Sequence, residues 1–139
     1  MKTGIITGTG KGIGLSTLKL LLKNKYKIIS ITKTKSKEVE LLLKSKNFIK
    51  NIYHPLGENL LADKKLINEI FKKNKIDFMV CNAGVRHRDS IQKMNLEKRN
   101  YTLNVNYHSN VVLIEELLKF YNKKKHQINI VCISSIVGN

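Results

Sequence analysis

The sequence predicts an α/β fold of the doubly wound, Rossmann-like class. Three observations carry this: short β-rich runs alternate with longer segments of helical period, the runs are largely apolar, and a glycine-rich turn joins the first run to the first helix. Alternation of this kind implies right-handed crossovers and a parallel sheet of about five strands covered on both faces. A length of 139 residues suits one domain, 1–139, whose core needs no staples.

Each element follows from its residues. Lys2 to Thr7 reads as a strand and Ile13 to Lys23 as a helix with Leu18, Leu21 and Leu22 on one face. Lys27 to Thr32 (KIISIT) is a second strand, apolar as a doubly covered parallel strand should be. Ser36 to Lys46 reads as a short helix with Ser36 as N-cap and Val39, Leu42 and Leu43 inward. Phe48 to Tyr53 is a third strand, closed by Pro55 and Gly57. Leu60 to Lys73 is helical, with Leu66, Ile67, Ile70 and Phe71 as its buried stripe, and Ile76 to Cys81 is a fourth strand. After a polar loop, Leu96 to Asn122 reads as one long helix and Ile128 to Ile133 as a fifth strand. The sheet is expected to be incomplete at its C-terminal edge, where the fifth strand offers unpaired backbone groups and invites self-association.

Composition narrows the function less than pattern does. Lys and Arg number 26 against 10 Asp and Glu, a formal net charge of +16, which a polyanionic partner would suit. Yet 23 of those cations are Lys, accompanied by 15 Asn and 17 Ile, the mixture of an AT-rich coding sequence. The lysines are scattered over helix surfaces, with no helix-turn-helix, zinc pattern or aromatic-basic interleaving beside them. Specific nucleic-acid binding is therefore not expected. No metal-ligand constellation is apparent. Cys81 and Cys132 both stand in apolar runs, as buried reduced thiols do, which predicts a reducing, cytoplasmic setting. No leader pattern and no apolar stretch near ~20 residues occurs, so no membrane partner is expected.

The chemistry is concentrated in Thr7-Gly8-Thr9-Gly10-Lys11-Gly12-Ile13-Gly14, between the first strand and the first helix. Glycines there supply positive φ, close backbone approach to a pyrophosphate and tight helix-on-strand packing, and the freed N–H groups at the helix start bind phosphate. The loop is not a Walker loop: Ile5 stands at its first glycine, and Gly12 stands where Ser or Thr is required. A dinucleotide is the ligand the turn predicts.

This T-G-x-x-x-G-I-G turn resembles that of the short-chain dehydrogenase/reductase family, and the likeness recurs along the chain. Cys81-Asn82-Ala83-Gly84 resembles the family's N-N-A-G element, with Cys81 for the first Asn, and Asp77 matches the acid that commonly precedes that strand. Val105-Asn106 is similar to the V-N element whose Asn belongs to the catalytic tetrad, with Asn104 a rival. Ile133-Ser134-Ser135-Ile136-Val137-Gly138 resembles I-S-S-x-x-G, whose second Ser orients substrate. The resemblance implies an NAD(P)(H)-dependent carbonyl/alcohol oxidoreductase acting on an unidentified small substrate. Ser135 and Asn106 are then the catalytic candidates. Thr7, Gly8, Thr9, Lys11, Gly12, Ile13, Gly14, Lys33, Asn82, Ala83 and Gly84 are the cofactor-binding candidates.

No acid follows the second strand to accept from a ribose 2′-OH; Thr32 is followed by Lys33. With Lys11 in the turn, two cations favour a 2′-phosphate, so NADP is expected over NAD. The family's Asp contact to adenine is replaced by His54-Pro55-Leu56. The family's catalytic Tyr and Lys, spaced Y-x-x-x-K, are expected beyond Ser135, where none occurs in these 139 residues; only Tyr121 has Lys four positions on, and it precedes Ser135 in a helix end far from the expected site. The expectation is a truncated family member, inactive alone. The alternatives are a non-catalytic NADP-binding module or interaction protein and, last, a basic nucleic-acid-binding protein.

Overall fold

The computed structural model describes residues 1–90, 92–122 and 126–134. In chain order the elements are β1 (Thr3–Thr7), α1 (Gly12–Lys23), β2 (Lys27–Thr32), α2 (Lys37–Leu42), β3 (Phe48–Tyr53), α3 (Leu60–Lys73), β4 (Phe78–Cys81), α4 (Leu96–Leu103), a π-helical segment (Asn104–His108), α5 (Ser109–Asn122) and β5 (Asn129–Cys132). The strands form one sheet in the order β3-β2-β1-β4-β5, and every neighbouring pair is parallel. The chain winds outward from β1 to β3 and then returns to β1's other side. The strand order therefore switches between β1 and β4, as in Rossmann-like folds.

The residues gather into two compact units. The first comprises Met1–His54, Ile76–Asn82 and the described part of Ile128–Asn139. Because successive strand residues face opposite sides, Ile6, Ile28, Phe48 and Val80 lie on one face, packed with Leu15, Leu18 and Leu22 of α1 and Val39 of α2. Ile5, Ile29 and Met79 alternate with them and are also fully buried. Gly4 leaves room for the Phe78 ring, which a Cβ there would strike, and Phe78 meets Tyr26 edge-on at 5.4 Å. Asp77 closes the foot of the sheet: its backbone N–H donates to Thr3 O at 2.8 Å, and its Oδ2 accepts from Thr3 N at 2.8 Å.

The second unit comprises Pro55–Lys75 and Ala83–Gln127. Within it α3 packs on α5, burying Ile67, Ile70, Phe71, Leu113, Leu117 and Tyr121, with the Phe71 and Tyr121 rings edge-to-face at 5.9 Å. Across this seam Asn68 Nδ2 donates to Glu116 Oε2 at 2.7 Å. That hydrogen bond, with help from Lys119 and Lys64, holds the Glu116 carboxyl below its ordinary range.

Four expectations require correction. The helix expected over Ser36 to Lys46 is only Lys37–Leu42, and Ser36 occupies the N-cap position without a side-chain cap bond. Leu43, expected inward, is exposed, since it follows the end of so short a helix. The single helix expected over Leu96 to Asn122 is interrupted by the π-helical segment Asn104–His108. Cys132, expected buried, is exposed while Cys81 is buried, because β5 is the outer strand among the described residues and has a strand on one side only. For the same reason Val131 and Ile133 are 49% and 45% exposed. Among the described residues no helix is long and apolar enough to cross a membrane.

Candidate functional site

The switch between β1 and β4 brings the ends of two strands together. Ile6 pairs with Val80, so Thr7 and Gly8 leave the sheet beside Cys81 and Asn82, at the carboxyl edge where open α/β sheets bind ligands. Asn82 ties the two ends together. Its backbone N–H donates to Thr7 Oγ1 at 3.0 Å, and its Nδ2 donates to Thr7 O at 3.2 Å and to Gly8 O at 3.0 Å. Gly8 N in turn donates to Ile31 O of β2 at 2.8 Å. The start of the turn is thus held from both neighbouring strands.

The glycines divide the work as the sequence predicts. Gly8 and Gly12 have φ of 72° and 56°, conformations that L side chains avoid. A Cβ on Gly14 would collide with Gly8 O and the Asn82 amide nitrogen, so only glycine lets α1 start this close to the turn. Around Gly10 and Gly12 a Cβ would meet nothing within 4 Å, which leaves the outer side of the turn open. Helix α1 begins there with Lys11 as an extended N-cap, no side-chain cap hydrogen bond and no acid in the first turn. Its first N–H groups are aligned with the positive end of the helix dipole. Thr9 is fully buried, yet its Oγ1 has no hydrogen-bond partner, and a buried hydroxyl left unpaired costs about 1–3 kcal/mol. An open glycine cradle, uncapped helix N–H groups and an orphaned hydroxyl together fit a phosphate-bearing ligand.

The other candidates are placed as follows. Ile13 is 66% exposed, an apolar side chain in solvent next to the cradle. Lys11 and Lys33 are exposed, Ala83 is half-buried and Gly84 exposed. His54, where the acid contact to adenine was expected, donates its backbone N–H to Thr32 O at 2.8 Å. Ser135 lies outside the described residues; Ser134, just before it, is exposed.

In the second unit, Asn106 sits in the π-helical segment and grips the loop after β4: its Nδ2 donates to Val85 O at 2.9 Å, and its Oδ1 accepts from Val85 N at 2.7 Å. Asn106, and not its rival Asn104, makes this two-point contact. Two supports escaped the sequence reading. Asn110 Nδ2 donates to Asn106 O at 2.9 Å. Gly57, with φ of 84°, packs so closely that a Cβ would lie 2.7 Å from Val105 backbone atoms. Its N–H donates to the buried Asp63 Oδ2 at 2.9 Å. The polar spacing of Asn106 and Asn110, four apart on a helix, was the one available signal for the first; nothing local signalled the second.

Known proteins resemble this chain in sequence and in fold. Over 99 residues, 71% of this chain, it is 31% identical to the 3-oxoacyl-[acyl-carrier-protein] reductase FabG of Rickettsia felis, of which the match spans 41%. The corresponding FabG of Rickettsia prowazekii is 33% identical over the same length. The solved structure of a 4-hydroxyisoleucine dehydrogenase complexed with NADH superposes with a TM-score of 0.89 at 22% identity, covering 97% of this chain and 55% of that one. ElxO with NADP bound superposes at 0.79 with 28% identity, over 96% and 55%. The chain spans about half the length of the relatives it matches. With the short chain dehydrogenase model matching residues 2–139, from the glycine turn through the Ser134-Ser135 segment, the chain belongs to that family.

Proposed function

We propose that the chain binds a nicotinamide dinucleotide, NADP in preference to NAD, and serves carbonyl/alcohol oxidoreduction. The observation that carries this reading is the cradle at Gly8–Gly14, with its open outer side and the unpartnered, buried Thr9 hydroxyl. In this reading Thr7, Gly8, Thr9, Gly12, Ile13 and Gly14 enclose the pyrophosphate against the start of α1, and Asn82 keeps the cradle in register. Ala83 and Gly84 leave space for a flat ring. Lys11 and Lys33 neutralise a 2′-phosphate, which an acid would repel. Bound NADH in one structural relative and NADP in another support a nicotinamide ligand. When bound, such a cofactor supplies or accepts the hydride. Ser135 orients the substrate oxygen, and Asn106 holds the loop that follows β4. The exposed Val131 and Ile133 of β5 support self-association through that edge, read as concentration-dependent sedimentation.

The test is titration of nicotinamide fluorescence with NADPH and NADH. Saturable binding with NADPH the tighter ligand is expected; no binding of either overturns the reading. Since no Tyr-x-x-x-Lys follows Ser135 within these 139 residues, the chain assayed alone is expected to bind without turnover, general acid–base groups being worth ~10²–10⁴-fold in rate. NADPH oxidation over a panel of aldehydes and ketones, with Ser135→Ala as control, separates this from a competent enzyme: turnover that Ser135→Ala abolishes overturns the inactivity. The same assay gives no turnover for a purely cofactor-binding module, the second reading.

A further inference from the structure

Cys81 and Cys132 are register partners on adjacent parallel strands. Their Cα atoms are therefore about one strand spacing apart, ~4.8 Å, and their side chains leave the same face of the sheet. That spacing falls within the ~4.4–6.8 Å between Cα atoms that a disulfide spans. Both thiols are free, Cys81 buried and Cys132 exposed, and the cofactor reading uses neither. Among the described residues no group of three or more His, Cys, Asp or Glu side chains gathers to hold a metal, so the pair is not part of a larger ligand set.

We propose that Cys81 and Cys132 form a reversible redox site, in which a peroxide oxidises the exposed Cys132 and Cys81 then closes a disulfide across β4 and β5. In the first step the Cys132 sulfur attacks one peroxide oxygen, the O–O bond breaks, and Cys132 sulfenic acid and water form. In the second, the Cys81 sulfur attacks the Cys132 sulfur, the S–O bond breaks, and water leaves with the Cys81 proton. The two sulfurs together lose two electrons and the peroxide gains two. Small-molecule thiol reverses the bridge by two exchange steps.

The order of events follows from the environments. Burial, reinforced by the neighbouring Cys132, pushes the Cys81 thiol up to about 12, so at neutral pH it remains protonated and is the poorer first nucleophile. Its proximity to Cys132 then matters more than its acidity, because the sulfenic acid forms within reach. The bridge links β4 directly before Asn82 to β5 two residues before Ser134. The proposal stands whether or not a dinucleotide binds.

The experiment treats the reduced 139-residue chain with hydrogen peroxide at equimolar dose, then alkylates under denaturing conditions and reads intact mass and peptide maps. The expected result is a monomer lacking two hydrogens, with neither cysteine alkylated, one peptide pair joined through Cys81 and Cys132, and both thiols restored by dithiothreitol. In Cys81→Ala the same dose is expected to leave a Cys132 sulfenic acid that dimedone captures. In Cys132→Ser, Cys81 is expected to stay fully alkylatable. Any of three results in the wild type overturns the proposal: two alkylatable thiols, Cys132 sulfinic acid with Cys81 free, or a dimer bridged by Cys132 alone. Because the wild type decides by itself, a variant that fails to fold leaves the test intact.

Discussion

Asn106 satisfies both backbone polar groups of Val85, 21 residues away in sequence, accepting from its N–H at 2.7 Å and donating to its carbonyl at 2.9 Å. The amide plane of Asn carries one donor face and one acceptor, so it pairs with a backbone unit as a neighbouring strand would. Asn106 makes both bonds from within a π-helical turn, Asn104–His108. Such bulges concentrate at functional sites.

Replacing Asn106 by Ala removes both contacts at once. Each such bond contributes about 1 kcal/mol net, so the Val85 amide is expected to exchange with solvent at least ~10-fold faster. Global stability falls much less, because Asn106 is exposed. Hydrogen exchange followed by NMR reads this residue by residue, and an unchanged Val85 rate contradicts the clamp.

Gly14→Ala and Gly10→Ala should part company. The first forces a Cβ into Gly8 O and the Asn82 amide and is expected to cost about 1–3 kcal/mol of folding stability. The second meets nothing within 4 Å and should leave stability within about 0.5 kcal/mol, yet weaken NADPH binding if the cofactor backbone lies against the turn. Urea denaturation and fluorescence titration on the two variants measure both effects.

Lys33→Glu is expected to reverse the cofactor preference. Losing one charge contact to a 2′-phosphate costs about 1–3 kcal/mol, roughly 5- to 150-fold in Kd for NADPH, with little change for NADH. Equal loss for both cofactors would place Lys33 away from the phosphate.

The seam between α3 and α5 should be acid-sensitive. Glu116 has a carboxyl pKa held below its ordinary 4.5 by the Asn68 amide first, and by Lys119 and Lys64. The unfolded chain therefore binds its proton more readily than the folded one. The stabilisation is fully present above the ordinary value and is lost as pH falls through the lower folded value. Glu116→Gln should cost about 1–3 kcal/mol at pH 7 and flatten the stability profile below pH ~4.5. Thermal unfolding from pH 7 to pH 3 on both proteins checks the sign.

The legible parts of this chain were those written in local pattern. Ile28, Ile29 and Ile31 announce a strand covered on both sides, and all three are fully buried. The Gly8, Gly12 and Gly14 spacing announced a turn whose φ values and contacts are those required. The apolar period continues through Leu42 and Leu43, beyond the helix that ends at Leu42, because the chain must already turn to enter β3. Both thiols lie in apolar runs, yet Cys81 is buried and Cys132 exposed, since an apolar run does not reveal whether its strand is central or outer.

From the sequence alone came the order of elements, the parallel sheet, the cradle and the identity of the residues around it, since period, glycine conformation and turn chemistry are properties of a few consecutive residues. Tertiary structure alone decided that Asn82 ties the cradle to β4, that Asn106 rather than Asn104 holds Val85, that Gly57 presses on the π-helical backbone, and that Cys81 faces Cys132. Each of these joins residues at least 21 positions apart through two or three hydrogen bonds, a backbone contact or a strand register. Their geometry depends on strand order and on one interrupted helical turn, which no local window of sequence contains.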